Sequence, residues 1–239
     1  MQYRLHNPFT GLKKREWCLW IISLIVVALS NILAGKADPV TLSATLIGVT
    51  ALIFVARGDV WGQILTIVFS ILYAITSYSF RYYGEMITYV GMTAPIALFS
   101  IITWLKNPSA EEKNTVQISR LNRKTAIVMI LSCIAVTAFF GYILKILDTP
   151  NLIISTISIV TSYLASYLMM CRNSYYALAY AANDIVLIIL WVLASMDNIA
   201  YLPMIASFAM FLINDIYGFV SWKKREHKQS AKSLCTKCQ

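Results

Sequence analysis

Eight apolar segments, each long enough to cross a lipid bilayer, constrain this chain more than any other feature. A membrane-spanning helix needs about 20 predominantly apolar residues. The candidate segments are residues 17–35, 39–56, 60–80, 83–104, 125–147, 150–171, 174–195 and 199–222. Charged residues make up only 13% of the chain, about half their share in soluble domains. We therefore predict an all-α integral membrane protein with eight transmembrane helices.

The distribution of basic residues predicts the orientation in the membrane. With the N-terminus inside and eight spans, 17 Lys and Arg residues fall on the inner side, and only Lys36, Arg81 and Lys145 fall outside. Cytoplasmic loops carry an excess of Lys and Arg. The pattern therefore predicts a multi-pass protein with both termini in the cytoplasm. The net charge of +9 is explained by this topology and indicates no nucleic-acid partner.

Both ends of the chain leave an alternative open. Residues 13–35 begin with three basic residues and could pass for a secretory signal peptide, but the apolar stretch is long for one. We favour an uncleaved first span. Cys235 and Cys238 form a lone CxxC motif, and two thiols cannot complete a four-ligand zinc site. We predict an unstructured, reduced tail, no metal site and no cofactor.

A weak internal repeat predicts the domain organisation. Pro39 and Pro150 each open a span, and Trp104 and Trp222 each end a span, 21 residues after a tyrosine. Parallel repeats are one known transporter plan, with the site between them, although two apolar helices also align at a few positions by chance. The predicted units are a cytosolic N-terminus with a peripheral helix (1–37), a first three-helix bundle (38–104), a cytosolic loop and linker helix (105–149), a second three-helix bundle (150–222) and a basic cytosolic tail (223–239).

Two Asn-Asp dipeptides lie at membrane depth, Asn183-Asp184 in the seventh span and Asn214-Asp215 in the eighth. At 1.5 Å per residue, both asparagines lie roughly 12 to 13 Å from the inner ends of their helices. Polar groups at this depth usually face a cavity or a partner, but they also serve as contacts between packed helices. Adjacent helical residues point about 100° apart, so we expect the two members of one dipeptide not to face the same cavity.

Other polar and aromatic side chains share helix faces with these residues. Tyr176 and Tyr180 lie on the face of Asn183, and the fourth span offers Glu85, Thr88, Tyr89 and Thr93, with Glu85 expected at an exposed outer rim. Amides and aromatic rings suit a small planar, nucleoside-like ligand, and if that ligand is cationic, the ring faces and a buried carboxylate would attract it. The predicted substrate-binding residues are Gln63, Thr66, Tyr73, Tyr176, Tyr180, Asn183, Asp184, Asn214 and Asp215, and no catalytic residue is predicted.

Two motifs carry a family resemblance. Asn214-Asp-Ile-Tyr-Gly-Phe-Val-Ser-Trp222 resembles the last-span signature of the nicotinamide riboside transporter (PnuC) family, and Tyr82-Tyr-Gly-Glu-Met-Ile-Thr-Tyr89 resembles family members from Gram-positive bacteria; the match covers about residues 38–225. The resemblance implies a SWEET-like fold of two bundles joined by a linker helix and a homotrimer in the bacterial plasma membrane. It also implies facilitated uptake of nicotinamide riboside, trapped by cytosolic phosphorylation. By position, Tyr176 and Asn183 would belong to the family's site between the bundles.

The chain also departs from the family pattern. Members that carry nicotinamide riboside often have two tryptophans where this chain has Tyr176 and Ala179, so thiamine, riboflavin and deoxynucleosides remain alternative substrates. The chain has no phosphate-binding loop and so no ATPase of its own. A second function is the substrate-binding membrane subunit of an ATP-driven vitamin importer, which would hand its ligand to a separate ATP-driven module. A third is an intramembrane enzyme that uses Asp184 and Asp215 as paired acids, which would require the two carboxyls to meet.

Overall fold

The computed structural model describes residues 6–34, 38–110, 112, 114–197 and 201–237. The helices are α1 (Lys14–Leu33), α2 (Pro39–Arg57), α3 (Val60–Ser79), α4 (Tyr83–Thr88), α5 (Ala94–Lys106), α6 (Arg123–Ile146), α7 (Leu152–Met170), α8 (Tyr176–Asp197) and α9 (Leu202–Lys237). With α4 and α5 taken as one span, eight of the described helical segments are long and apolar enough to cross a membrane. The predicted all-helical membrane protein with eight spans is confirmed.

Short polar signals set the ends of the helices. Asp38 begins α2, and its carboxylate accepts hydrogen bonds from the Thr41 hydroxyl at 2.6 Å and the Thr41 amide at 2.9 Å. The bond from the Thr41 hydroxyl lowers the pKa of Asp38. Gly58 ends α2 with a left-handed φ of 76°, a conformation that glycine adopts without steric cost. Asp59 follows at once and accepts from the Trp61 amide at 3.1 Å, so α2 and α3 meet through a very short turn.

The fourth span is interrupted near its middle. Between α4 and α5, residues Tyr89–Thr93 form a π-helical turn. Pro95 lies two residues after the end of this turn, and proline has no amide hydrogen to donate within a helix. Single π-helical turns inside α-helices occur frequently at functional sites. Two members of this turn, Tyr89 and Thr93, face the cavity described below.

Six spans surround the centre, and two lie outside it. α2 packs against α3 and α9, α8 lies between α7 and α9, and α5 packs against both α3 and α7. α1 packs against α2 and α9, and α6 packs mainly against α7. The buried shares of α1 and α6 are the lowest of the eight, at 28% and 17%. These two helices therefore present most of their apolar surface outward.

The end of the chain differs from the prediction of an unstructured tail. α9 continues past Trp222 to Lys237, because residues 219–237 contain no glycine or proline to end it. The extension is also anchored, since the Ser174 hydroxyl donates to Glu226 at 2.7 Å and the Ile118 amide donates to Gln229 at 3.1 Å. Other calls on the termini and loops (Arg4, Lys36 and Cys238) lie outside the described residues.

The prediction of an exposed rim position for Glu85 is wrong. Its side chain is 2% exposed, and the Ser158 hydroxyl of α7 donates to it at 3.3 Å. α6 and α7 both pack over α4. A β-carbon at Gly84 would lie only 3.1 Å from the Leu144 side chain, so α4 and α6 are in close contact there. Span length gave no information on these covering helices.

Candidate functional site

A small cavity of about 50 Å³ lies at the centre of the protein. α2, α3 and the π-helical turn form one part of its wall, and α7, α8 and α9 form the other. The cavity therefore lies between the two segments that the repeat predicts as bundles. Its lining residues with polar side chains are Thr66, Tyr89, Thr93, Tyr180, Asn183, Asp184 and Asp215.

Asn183 is held in place by α7. Its side-chain oxygen accepts hydrogen bonds from the Thr161 hydroxyl at 2.7 Å and the Ser162 hydroxyl at 2.9 Å. An amide also carries two donor hydrogens on its nitrogen, and no described residue accepts a hydrogen bond from that nitrogen. Asn183 therefore borders the cavity with its acceptor occupied and its donors available.

Asp184 and Asp215 form an acid pair in the cavity wall. The two carboxyl groups lie within hydrogen-bonding range of each other, and each side chain is 3% exposed. Carboxyl groups at this separation repel one another strongly when both are charged, which favours the protonated form of at least one of them. The Oδ2 atom of Asp184 is buried without a hydrogen-bond partner. None of the described lining residues is basic, so any charge that these side chains give the cavity is negative.

Aromatic rings form the apolar part of the wall. Phe69 and Phe211 line it with ring centroids 5.5 Å apart, and Tyr89 meets Phe69 edge to face at 5.7 Å. Gly48 makes this arrangement possible, because a β-carbon there would lie 2.5 Å from the Phe211 ring. The cavity thus combines ring faces with a single acidic centre.

Comparisons with known proteins agree on one family. The model of the nicotinamide mononucleotide transporter family matches residues 38–224. The chain belongs to this family. The nicotinamide riboside transporter PnuC of Neisseria mucosa is 24% identical over 191 residues, which cover 78% of this chain and 73% of that protein. A crystal structure of the vitamin B3 transporter PnuC superimposes with a TM-score of 0.78 at 22% identity, covering 91% of this chain and 94% of that one.

Membership in this transporter family decides between the predicted classes of function. The protein is a membrane transporter and not an enzyme. Asp184 and Asp215 do meet, as paired catalytic acids would have to, but their setting is the cavity of a transporter. The first helix, α1, precedes the region that the family model matches.

The cavity of this family member brings together five of the nine predicted substrate-binding residues, namely Thr66, Tyr180, Asn183, Asp184 and Asp215. Tyr73 lies behind the wall, with its ring centroid 4.4 Å from that of Tyr89. Tyr176 lies toward the end of α2, where its ring is 4.7 Å from that of Trp222. Gln63 is buried outside the lining set, and its Nε2 atom has no hydrogen-bond partner.

Asn214 faces the peripheral helix and not the cavity. Its amide nitrogen donates to the Ser23 hydroxyl of α1 at 3.0 Å and to the Met210 carbonyl at 2.7 Å. The structure thus places Asn183 and Asn214 in different environments, although the sequence puts them at the same depth. Helix length predicts depth, whereas the direction of a side chain depends on the rotation of the helix and on its neighbours.

The expectation that Asn183 and Asp184 cannot face one cavity is wrong. Both residues line it. α8 lies between α7 and α9, so the cavity curves around one side of the helix. Asn183 approaches it from the α7 side, where it contacts Thr161, and Asp184 approaches it from the α9 side, where it contacts Asp215. An angle of about 100° between neighbouring side chains is compatible with this arrangement.

The sequence missed the apolar members of the wall, which include Phe69, Met169 and Phe211. In a chain that is 59% hydrophobic, one more apolar residue in a span carries no distinguishing signal. Gly48 offered a weak sequence signal for this wall, because glycine in a helix often marks a close approach of another group.

Proposed function

We propose that this protein mediates facilitated uptake of nicotinamide riboside, which cytosolic phosphorylation then traps. The observation that carries the proposal is the Asp184–Asp215 pair in a cavity that aromatic rings line. The nicotinamide ring of this substrate is planar and carries one positive charge. Ring faces and carboxylates both attract such a cation. The free donors of Asn183 match the oxygen of a carboxamide group.

The charge of the cavity favours the riboside over the mononucleotide. The family is named for nicotinamide mononucleotide, whereas the Neisseria mucosa relative is named for nicotinamide riboside. These two substrates differ by one phosphate. A phosphate adds about 1.5 to 2 negative charges near pH 7. The acid pair would repel that group, and none of the described lining residues is basic.

The cavity has to enlarge before it can hold a nucleoside. Its volume is about 50 Å³, whereas small-molecule pockets span roughly 300–1,000 Å³. Because its wall comes from both predicted bundles, a movement of one bundle relative to the other would widen it and open it to one side of the membrane. The π-helical turn at Tyr89–Thr93 supports this idea, since it interrupts the regular α-helical hydrogen bonding of the fourth span beside the cavity, and such turns occur frequently at functional sites.

The proposal includes the arrangement of the protein in the cell. The bundles comprise residues 38–104 and 150–222, and the protein forms a homotrimer in the bacterial plasma membrane with both termini in the cytoplasm. The distribution of 17 inner and three outer basic residues supports this orientation. The family resemblance supports the trimer. Cross-linking of the purified protein tests the trimer, and labelling of single cysteines in intact cells tests the orientation.

Thiamine is the second candidate substrate. It is also a planar cation, so the acid pair admits it on the same physical grounds. Tyr176 and Ala179 stand where the family's nicotinamide riboside carriers often have tryptophans. Riboflavin and deoxynucleosides lack this positive charge, and the cavity offers them no comparable attraction.

The decisive experiment uses the purified protein alone in liposomes. Labelled nicotinamide riboside should enter without ATP and without an ion gradient, and unlabelled thiamine, riboflavin and deoxynucleosides are added as competitors. Stronger competition by thiamine than by unlabelled nicotinamide riboside would identify thiamine as the preferred substrate. Tight binding without uptake would instead support the subunit of an ATP-driven importer.

A further inference from the structure

A basic cleft of about 660 Å³ lies at the end of the protein where α1 begins and α2 ends. The helical extension of α9 passes along it. Six Lys or Arg side chains line this cleft and only two acidic ones do. The basic residues are Lys13, Arg15, Arg57, Lys224, Arg225 and Lys228. This cleft is separate from the substrate cavity and shares no lining residue with it.

Two of the basic side chains build the cleft wall. Arg225 is 9% exposed, and its guanidinium donates to the carbonyl oxygens of Ala56 and Arg57 at the end of α2. Arg57 in turn donates to the Pro8 carbonyl at 3.1 Å. These bonds hold the start of the chain, the end of α2 and the extension of α9 together. Neither guanidinium forms a contact ion pair with a described carboxylate, although Arg225 interacts through its charge with Glu112 and Glu16.

One of the two acidic side chains in the cleft already accepts hydrogen bonds from neighbouring groups. Glu16 accepts hydrogen bonds from the Lys13 backbone amide at 2.7 Å and from the Tyr217 hydroxyl at 3.1 Å. The other acid, Glu112, lies in the loop that covers the cleft. Two carboxylates therefore face six cations, and the cleft keeps a surplus of positive charge.

The four remaining cations come from two distant parts of the sequence. Lys13 and Arg15 precede or begin α1, and Lys224 and Lys228 lie one helical turn apart on α9. None of the four forms an ion pair with another described residue. A general excess of positive charge on the inner side explains why such residues occur at this end, but it does not require them to converge. Converging like charges repel one another, and a bound anion relieves that repulsion.

We propose that the cleft binds a phosphate group, with an anionic phospholipid as the favoured source. The cleft opens beside α1, whose outward face exposes apolar side chains such as Ile21 and Ile25 to the lipid. It therefore lies where lipid headgroups meet the ends of the helices. Basic pockets between helices at this level of a membrane bind anionic headgroups. The extended α9, held by Glu226 and Gln229, keeps the two lysines on the cleft.

The test measures the midpoint of thermal unfolding of the purified protein in detergent. Phosphatidylglycerol, phosphatidylcholine and inorganic phosphate are added separately. We expect phosphatidylglycerol to raise the midpoint and phosphatidylcholine to leave it unchanged. The variant Lys224→Gln/Lys228→Gln should lower the apparent affinity for phosphatidylglycerol about 30-fold. Lys145→Gln, at the far end of α6, is the matched control and should keep the full response.

The outcomes separate the two sources of phosphate. A shift with phosphatidylglycerol alone assigns the cleft to a lipid, and an equal shift with inorganic phosphate assigns it to a soluble phosphate compound. No shift with either probe, or a full shift in the double variant, would overturn the proposal. If the double variant does not fold, Lys13→Gln tests the same cleft from the opposite wall.

Discussion

Trp104 and Trp222 each donate a hydrogen bond to the predicted bundle that contains the other tryptophan. The indole nitrogen of Trp222 donates to the Val55 carbonyl in the last turn of α2 at 3.0 Å. The indole nitrogen of Trp104 donates to the Met169 carbonyl in the last turn of α7 at 3.2 Å. The two rings lie 5.6 Å apart. Each tryptophan ends one predicted bundle and binds the first helix of the other, an exchange that supports the internal repeat.

This exchange predicts matched effects on stability. Trp104→Phe and Trp222→Phe should each lower the free energy of unfolding by about 1 to 3 kcal/mol, because each removes a buried indole hydrogen bond and leaves space where the larger ring packed. Thermal unfolding of the purified variants measures the effect. Trp17→Phe, on the exposed side of α1, is the control. Equal stability of all three variants would show that the indole bonds contribute little.

The two asparagines offer a second test, because the structure gives them different surroundings. Asn183→Ala should weaken substrate binding by about tenfold or more, since it removes the amide donors from the cavity. Asn214→Ala lies at the same predicted depth but contacts Ser23 on α1, so it should lower thermal stability and leave affinity unchanged. Titration calorimetry on both variants measures the affinities. Equal loss of affinity in the two variants would contradict this placement of the site.

These residues show how far the sequence predicts the structure. Hydropathy located the spans within a few residues, because the bilayer fixes the length of an apolar helix. It also placed Asn183 and Asn214 at one depth. It could not predict that one faces the cavity and the other faces α1, because that depends on helix rotation. The burial of Glu85 could not be predicted either, because it comes from the packing of α6 and α7 against α4.

The acid pair predicts a dependence on substrate charge. The double variant Asp184→Asn/Asp215→Asn keeps side chains that can hydrogen-bond while removing both ionisable groups. This change should weaken binding of cationic nicotinamide riboside about tenfold or more, because a buried opposite charge acts in a low-dielectric site. The reduced form of the same nucleoside is neutral and is the matched control ligand. Equal loss of affinity for both forms would show that the pair acts through shape and not through charge.

Gly48 gives the last prediction, since it separates the shape of the cavity from its chemistry. In Gly48→Ala the new β-carbon would lie 2.5 Å from the Phe211 ring, so the ring has to move. The displaced ring should enter the cavity, and uptake in liposomes should fall. Overpacking of this kind also costs about 1 to 3 kcal/mol of stability. Gly141→Ala is the matched control, because the nearest atom there is 3.7 Å away, and it should transport normally. Normal uptake by Gly48→Ala would mean that Phe211 does not limit access to the cavity.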